Sequence, residues 1–313
     1  MTITQLKYTL AVAEYKNFTI AAEHCFVTQP TLSMQIQKLE DELDAKIFNR
    51  SKKPIELTPV GKSIVEQAKV IVDESNRIID IVHQQKGYIG GEFKLGIIPT
   101  IMPTLLPMFL KTFSKNYPKV QLIIEELTTE EIVRKLSDGH IDAAIAATPL
   151  ENEAIKERVL YYEPFVGLIP NEHRLSNQLK IKIDDLELDD ILLLEDGHCF
   201  KDSVINLCRT NKRSSTHHFQ LESGSFDTLI KLSKDGLGMT LLPYLNTLDL
   251  NEKDKEYLRE FETPPPAREV SLIYHKSQLK MQLIEALKTT IDSVIRGAIA
   301  FSDVDIISPL NKR

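Results

Sequence analysis

The sequence predicts a small N-terminal α+β domain, a long connecting helix and a larger α/β domain. Three observations lead to this fold class. Three short helical patterns and a basic hairpin occupy residues 1–58. A single amphipathic pattern follows, with no Gly or Pro between Gly61 and Gly87, and from residue 91 onward strand and helix patterns alternate. We therefore expect separate domains that differ in architecture.

The composition is that of an ordinary soluble protein. Of 313 residues, 42% are hydrophobic and 27% are charged, and the formal net charge is −7. No apolar run is long enough to span a membrane and the N-terminus lacks a secretion signal, so we expect a cytoplasmic location and no membrane contact. Three cysteines, an odd number, argue against a secreted disulfide scaffold and favour redox or metal chemistry for any cysteine pair.

The first patterns predict two short helices, a tight turn and a third helix, which is typical of a helix-turn-helix. Asn17 can cap the second helix, and Thr28 can cap the third, with Pro30 in its first turn. The polar face of the third helix suits base edges in a major groove, although a solvated surface would have the same composition. The residues that we expect to face bases or nearby backbone are Gln29, Pro30, Thr31, Ser33 and Gln37.

A basic hairpin between short strands completes an α+β winged helix-turn-helix domain over residues 1–58. These residues carry seven basic and seven acidic side chains, but the basic ones cluster from Lys46 to Lys53. Such a cluster beside a recognition helix is suited to a phosphate backbone. We expect Arg50 and Lys53 to contact phosphates, with double-stranded DNA as the partner.

The pattern over residues 59–90 predicts a long linker helix. Its apolar residues recur at spacings of three, four or seven, as in a coiled-coil seam. The helix could pack on its own domain or pair two subunits. The seam residues are Val60, Ile64, Ala68, Ile71, Ile78 and Val82.

Residues 91–301 predict an α/β domain with a parallel sheet, and residues 302–313 a flexible tail. Strands are expected at 93–97, 120–125, 141–147, 165–169, near 219–222, and at 239–242 and 270–274, with helices that include 226–234 and 278–296. Thr100 and Thr129 follow strands, at the sheet edge where open α/β folds bind ligands.

The run from Leu192 to Leu194 has the length of a strand and ends at an acidic-Gly turn, followed by His198 and Cys199. Cys208 lies nine positions further on. If this stretch were helical, the two Cα atoms would lie about 13 Å apart, whereas a disulfide needs roughly 4.4 to 6.8 Å. Helix and disulfide would exclude each other, which predicts a two-state element.

The chemistry of these thiols has a plain alternative, because cysteine is among the most buried residue types. His198 and Lys201 could nevertheless stabilise a thiolate at Cys199, and Cys208 could condense with the sulfenic acid that a peroxide would form. We interpret Cys25 as core packing. Cys199, Cys208, His198, His217 and His218 fit no common zinc spacing, so neither a metal nor a cofactor is predicted.

The N-terminal region resembles the LysR-type transcriptional regulators. The resemblance rests on residues 18–22, 28–33, 36–40, 43, 48–50 and 57–61. It implies two periplasmic-binding-protein-like subdomains in the regulatory domain, subdomain I at about 91–162 and 269–301, and subdomain II at about 163–268. It also implies a dimer through the linker helix, a homotetramer on DNA, and RNA polymerase as a further partner.

Within that family the chain resembles the peroxide-sensing OxyR subfamily. The matching residues are 98–100, 193–199, 202, 208 and 238–243. The resemblance implies that Cys199 is the peroxidatic thiol and Cys208 the resolving one, joined in a disulfide after oxidation. It also implies that Arg268 steadies the thiolate or the leaving hydroxide. The implied lining of the peroxide pocket is Thr100, Thr129, His198, Asp202 and Arg268.

The expected function is that of an activator of oxidative-stress genes that hydrogen peroxide switches, not of an enzyme. Two alternatives stay open at this point. The chain could be a LysR-type regulator that responds to a small metabolite, with incidental cysteines. It could also be a thiol peroxidase, although a catalyst has no need of a helix-turn-helix.

Overall fold

The structure is a computed structural model that describes residues 1–85, 89–195, 199–208, 225–299 and 304–309. The chain divides into two compact units, Met1–Gly87 and Tyr88–Arg313, and each contains buried apolar clusters of its own. Across the described ranges, no helix combines the length and the apolar character needed to cross a membrane.

The first unit contains helices and one short antiparallel hairpin. The helices are α1 (Ile3–Tyr15), α2 (Phe18–His24), α3 (Gln29–Glu42) and α4 (Pro59–Gln85), and the strands are β1 (Phe48–Asn49) and β2 (Glu56–Leu57). The predicted N-caps are confirmed, because the Asn17 side chain accepts hydrogen bonds from the Thr19 and Ile20 amides and Thr28 accepts one from the Thr31 amide. These caps fix where α2 and α3 begin.

Helix α4 has two different halves. In the first half, Val65, Ala68 and Val72 are buried in the cluster that α1, α2 and α3 also form. In the second half, Ile78 and Val82 remain 64% and 43% exposed in the single chain. The alternative in which the helix packs on its own domain therefore holds for the first half, whereas the second half presents apolar side chains at its surface.

The second unit alternates strands and helices. Its first elements are β3 (Gly91–Ile97), α5 (Met102–Asn116), β4 (Val120–Glu126), α6 (Thr129–Ser137), β5 (Ala143–Thr148), β6 (Ile155–Leu168) and β7 (Lys180–Ile181). The later ones are α7 (Cys199–Leu207), α8 (Phe226–Lys234), β8 (Thr240–Pro243), α9 (Tyr244–Leu248), α10 (Glu252–Lys255), β9 (Leu258–Phe261), β10 (Pro266–His275), α11 (Met281–Ile295) and β11 (Asp305–Ile306).

These strands form a mixed sheet in the order β4-β3-β5-β10-β6-β9-β7, with β11 beside β10 and β8 beside β6. Strands β3, β4 and β5 are parallel, as predicted, but β10 runs antiparallel to both β5 and β6. The expectation of a purely parallel sheet is therefore wrong at its centre. The partner of β10 lies more than a hundred residues earlier in the chain, so no local pattern reveals its direction.

Strand β6 connects two hydrophobic clusters. Residues 155–164 pair with β10, and residues 165–168 pair with β8 and β9. One buried cluster contains Phe93, Ile145 and Ile284, and the other contains Phe165, Leu229 and Leu241. Strand β6 therefore passes from one apolar core into the other, whereas β10 contributes buried apolar residues to the first of these cores.

Three expectations for this unit differ from the structure or fall outside it. Leu192–Leu194 are buried but form no strand, and only Ile191 makes a bridge, to Met239. The strand expected near 219–222 lies outside the described residues. The tail is not loose throughout, because Asp305 and Ile306 pair with the start of β10. Strand pairing and a buried Pro309 hold this part of the tail in place.

Candidate functional site

The two cysteines of interest lie at opposite ends of α7. Cys199 is its first residue and Cys208 directly follows its last, and both thiols are free and buried, with 8% and 3% exposure. Nine residues of helix separate their Cα atoms by about 13 Å, beyond the reach of a disulfide. Cys199 belongs to the apolar cluster that contains Phe93, and Cys208 belongs to the one that contains Phe165. In this state, α7 keeps the thiols apart.

Opposing influences act on the Cys199 thiol. Burial raises its pKa, and the positive charge of Arg268 and the hydroxyl of Thr129 act in the lowering direction. Asp202, one turn along α7, adds to the raising influence. The net result is a pKa above the ordinary value, because loss of hydration outweighs the favourable charge. The thiol is therefore held protonated beside a cation that favours its thiolate.

Arg268 is fixed by buried partners. Its Nε and Nη2 donate to Glu163 Oε2 at 2.9 and 2.7 Å, and its Nη1 and Nη2 donate to the Thr100 hydroxyl and carbonyl at 2.9 and 3.1 Å. The guanidinium also lies 5.4 Å from the centroid of the Phe200 ring. Only 1% of Arg268 is exposed, so a full charge is held inside the protein by ionic and polar contacts.

Thr129 comes to the site because α6 begins there. Thr128 caps this helix through a reciprocal capping box with Glu131, which fixes the first turn. Thr129 Oγ1 is buried and makes no hydrogen bond of normal geometry within the described chain, although the hydroxyl is near enough to Cys199 to lower the pKa of the thiol. A buried hydroxyl in this condition is suited to a small polar ligand.

The structure thus places four of the five predicted pocket residues around Cys199 or its neighbour Arg268. Thr129, Asp202 and Arg268 each act on the thiol, and Thr100 holds Arg268. His198 lies outside the described residues, as do His217 and His218. Among the residues described, no group of three or more His, Cys, Asp or Glu side chains is arranged to hold a metal ion.

Cys208 lies in a different environment. Burial alone raises the pKa of its thiol to about 11. Its amide donates to the Val204 carbonyl at 3.2 Å, which continues the helical turn past Leu207. A thiol in this setting is inert until its surroundings change.

The polar face of α3 is only partly open. Gln29 and Pro30 are exposed and therefore accessible to a partner. The other three are half-buried and engaged within the unit. The Thr31 hydroxyl lies 2.8 Å from that of Thr28, Ser33 Oγ accepts a bond from Arg50, and Gln37 Nε2 donates to Asp41.

The Arg50 side chain has several partners within its own unit, in addition to any contact with a phosphate. Its Nη2 donates to Glu40 Oε2 and its Nη1 to Ser33, both at 3.2 Å, and its guanidinium lies over the Phe18 ring. Glu40, whose side chain is fully buried, also accepts bonds from the Ile47 and Phe48 amides. Lys53 is exposed on the hairpin. The structure therefore connects Arg50 to the recognition helix and leaves Lys53 at the surface.

Sequence reasoning missed two buried carboxylates, Glu40 and Glu163. Glu40 lies in an acidic run, and nothing in its spacing separates it from its exposed neighbours. Glu163 is revealed by the register that pairs β6 with β10, which places it directly opposite Arg268. A usable signal for Glu40 is its position on the apolar side of α3, next to Leu39 and one turn from Ile36.

A helix-turn-helix unit and an α/β unit with a buried thiol site together define a DNA-binding regulator with a sensory domain. Residues 3–62 match the family described as "Bacterial regulatory helix-turn-helix protein, lysR family". Residues 86–295 match the family described as "LysR substrate binding domain". The chain belongs to the LysR family of transcriptional regulators, and members of this family bind DNA and act as oligomers.

More specific similarity is found among individual proteins. A "Hydrogen peroxide-inducible genes activator" from Pectobacterium carotovorum subsp. carotovorum is 33% identical over 297 residues, 95% of this chain and 98% of the relative. A full-length OxyR from Pseudomonas aeruginosa, with aspartate in place of a cysteine, is 34% identical and covers 93% of this chain and 98% of its own, with a TM-score of 0.72. A peroxide-bound OxyR variant from Corynebacterium glutamicum is 29% identical and covers 95% and 93%, with a TM-score of 0.63. Within the LysR family, this chain belongs to the OxyR subfamily.

Proposed function

We propose that this protein is a cytoplasmic transcriptional regulator that hydrogen peroxide switches through Cys199 to activate oxidative-stress genes. The observation that carries the proposal is the pairing of a buried Cys199 thiol with Arg268 and Thr129, while α7 holds Cys208 out of reach. The cation favours the reactive thiolate, and the distance to Cys208 prevents a disulfide before oxidation. Both properties suit a sensor. The same residues explain why the signal would be a small, neutral oxidant, since the site is buried.

The proposed first step is attack of the Cys199 thiolate on one peroxide oxygen. The new S–O bond forms as the O–O bond breaks, and the leaving hydroxide takes up a proton to become water. Arg268 would stabilise the thiolate and the departing negative charge, and Thr129 and Asp202 would hold the peroxide beside them. The product is a sulfenic acid at Cys199, oxidised by two electrons.

The proposed second step is attack of the Cys208 thiol on the Cys199 sulfur. Water leaves, and a Cys199–Cys208 disulfide forms. Because α7 separates the Cα atoms by about 13 Å and a disulfide tolerates no more than about 7 Å, the helix must unwind. Unwinding removes Cys208 from one apolar cluster and changes the packing around it, which is the conformational signal.

On the DNA side, we propose a dimer formed through the second half of α4 and a homotetramer on the operator. The exposed Ile78 and Val82 would be covered by the same helix of a second subunit. Gln29, Pro30, Thr31, Ser33 and Gln37 would face the bases and nearby backbone, with Arg50 and Lys53 toward phosphates. RNA polymerase is the further partner expected of an activator.

A second candidate function follows from the description of residues 86–295 as a substrate-binding domain. In this alternative, a small metabolite rather than peroxide shifts the regulatory domain, and the cysteines play no part. A third, a peroxidase, would use the same Cys199 chemistry with repeated turnover and no effect on transcription.

Peroxide-dependent transcription from a bound promoter tests the proposal, with Cys199→Ser as the variant and Cys25→Ser as the matched control. We expect wild type and Cys25→Ser to respond and Cys199→Ser to stay silent, with two free thiols lost per responding chain. A response by Cys199→Ser would favour the metabolite alternative. Continuous peroxide consumption without any transcriptional change would favour the peroxidase.

A further inference from the structure

A second buried charge, Glu163, belongs to the surroundings of Cys199 and has no role in the steps above. The exposed fractions of the Glu163 and Arg268 side chains are 0% and 1%. The two residues oppose each other directly on β6 and β10. Glu163 Oε2 accepts from Arg268 at 2.9 and 2.7 Å, and Oε1 accepts from the Leu245 amide at 2.9 Å. Oε2 of the carboxylate is therefore bonded to this one guanidinium, while Oε1 is held by the backbone.

Most of the N–H donors of Arg268 already have acceptors. A guanidinium has five N–H groups. Four donate to Glu163 and Thr100 among the described residues. The fifth, on Nη1, is the donor that remains for a sulfur or oxygen anion. Glu163 thus fixes the direction of Arg268 and offsets part of the charge that this last donor presents.

We propose that Glu163 is a positioning residue that sets, through Arg268, the reactivity of Cys199 and hence the peroxide concentration at which the switch operates. The inference rests on the proposed peroxide-sensing function. Charges in a buried site are weakly screened, so a carboxylate bonded to Arg268 reduces the positive field at the thiol. Glu163 keeps the resting sensor less reactive than an unpaired Arg268 would make it.

The buried hydroxyl of Tyr161 lies within the influence of both charges. Burial raises the pKa of Tyr161 well above its ordinary value, Glu163 raises it further, and Arg268 lowers it. Tyr161 and Cys199 belong to the same apolar cluster. Both members of the ion pair therefore influence an ionisable group in the core that also contains Cys199. The charged groups that act on Cys199 itself are Arg268 and Asp202.

The test uses the full-length chain with Cys25→Ser and Cys208→Ser, so that labelling reports Cys199 alone. Glu163→Gln removes the charge and keeps an oxygen for the Leu245 amide, but it places an NH2 group where Oε2 accepted from Arg268, so the ion pair is broken as well. We expect the pH profile of Cys199 alkylation to move to lower pH, and the rate of reaction with hydrogen peroxide at pH 7 to rise roughly three- to tenfold. A purely structural role predicts no shift of the profile, or a slower reaction.

Glu269→Gln is the matched control, because Glu269 adjoins Arg268 on β10 but accepts a bond from Thr148 Oγ1 at 2.7 Å. Glu269→Gln makes the same change in net charge. The rate at which its Cys199 reacts with hydrogen peroxide should stay within about twofold of that of the parent, the chain with Cys25→Ser and Cys208→Ser alone. The inference would be overturned if the two variants changed the peroxide rate of Cys199 equally. It would also be overturned if Glu163→Gln left that rate and the pH profile of alkylation unchanged.

A second variant covers the case in which Glu163→Gln fails to fold, which thermal melting would reveal. Glu163→Asp withdraws the carboxylate by one methylene and should give a peroxide rate between those of the parent and Glu163→Gln; a rate at or below that of the parent overturns the inference. If the parent protein itself does not react with peroxide at Cys199, the proposed function fails. If the parent reacts and the Glu163 variants do not differ from it, only the role of Glu163 fails.

Discussion

At the scale of single residues, burial and the charge of Arg268 act in opposite directions on the pKa of Cys199. Cys199 is buried enough to raise its pKa, yet it lies within the influence of Arg268 and Thr129, which favour the thiolate. A fully exposed thiol would react with many oxidants, and one without a cation would scarcely react at neutral pH. In the proposed sensor, this combination would restrict the reaction of Cys199 to small molecules that can reach a buried thiol.

The pKa of Cys208 leads to a labelling prediction. A pKa of about 11 leaves roughly 0.1% of this thiol as thiolate at pH 8, because the fraction falls tenfold per pH unit below the pKa. Since the thiolate is the reactive form, iodoacetamide should label Cys208 in the native reduced protein roughly a hundredfold more slowly than in urea. Mass spectrometry of timed digests measures both rates. Comparable rates in the two conditions would show that Cys208 is not protected.

The DNA-facing residues lead to a second residue-scale prediction. Lys53→Ala should weaken binding to all sequences and reduce the slope of log Kd against log salt by about one, because one phosphate contact is lost. Gln29→Ala should instead reduce discrimination between operator and non-operator by about 1–3 kcal/mol. Fluorescence anisotropy titrations at several salt concentrations separate the two effects. The assignment of contacts is wrong if both variants change the salt slope and the discrimination alike.

At the scale of elements, the proposed disulfide depends on α7 and on the chain segment that contacts it. The Asn206 side chain donates to the Ser308 carbonyl at 3.1 Å, and β11 pairs with the start of β10. Ile307 packs against the cluster that contains Cys208. Residues 304–309 therefore stabilise the helical form of α7, which must unwind for the bond to form.

Truncation tests this arrangement. Removal of residues 304–313 deletes the Asn206 bond and the β11 pairing, each worth about 1 kcal/mol. We expect disulfide formation after sulfenic acid formation to become roughly fivefold faster, as measured by quenched-flow thiol counting. Removal of residues 310–313 alone is the control and should leave the rate unchanged. A slower second step in the longer truncation would contradict a stabilising role for this segment.

Elements near one another in the chain were predictable from the sequence, and long-range pairings were not. The caps at Asn17 and Thr28 and the helix at 226–234 follow from local spacing and side-chain chemistry. The antiparallel course of β10 and the pairing of Glu163 with Arg268 depend on residues about a hundred positions apart. Leu192–Leu194 illustrate a second limit, because a buried apolar run has the same composition whether or not it pairs as a strand.

At the scale of the whole molecule, we propose that oligomerisation connects the sensor to DNA. A helix-turn-helix unit gains affinity when two copies reach successive major grooves. The exposed apolar side chains of the second half of α4 are suited to bring two chains together.

Ile78→Glu tests this role of α4. Ile78 is 64% exposed in the single chain, so the substitution should leave each subunit folded. Burying a charge in a helix seam is unfavourable, so we expect the dimer to weaken at least tenfold by analytical ultracentrifugation. Operator affinity should fall with it, while the peroxide reaction of Cys199 stays unchanged. An unaffected dimer would place the subunit contact elsewhere.

The central claim is that peroxide joins the two thiols that α7 separates. Non-reducing peptide mapping of the full-length protein after one equivalent of hydrogen peroxide tests it most directly. We predict a peptide pair linked through Cys199 and Cys208, with Cys25 still free. Oxidation of Cys199 to a sulfinic acid without that link, or a protein whose Cys199 remains reduced, would contradict the account.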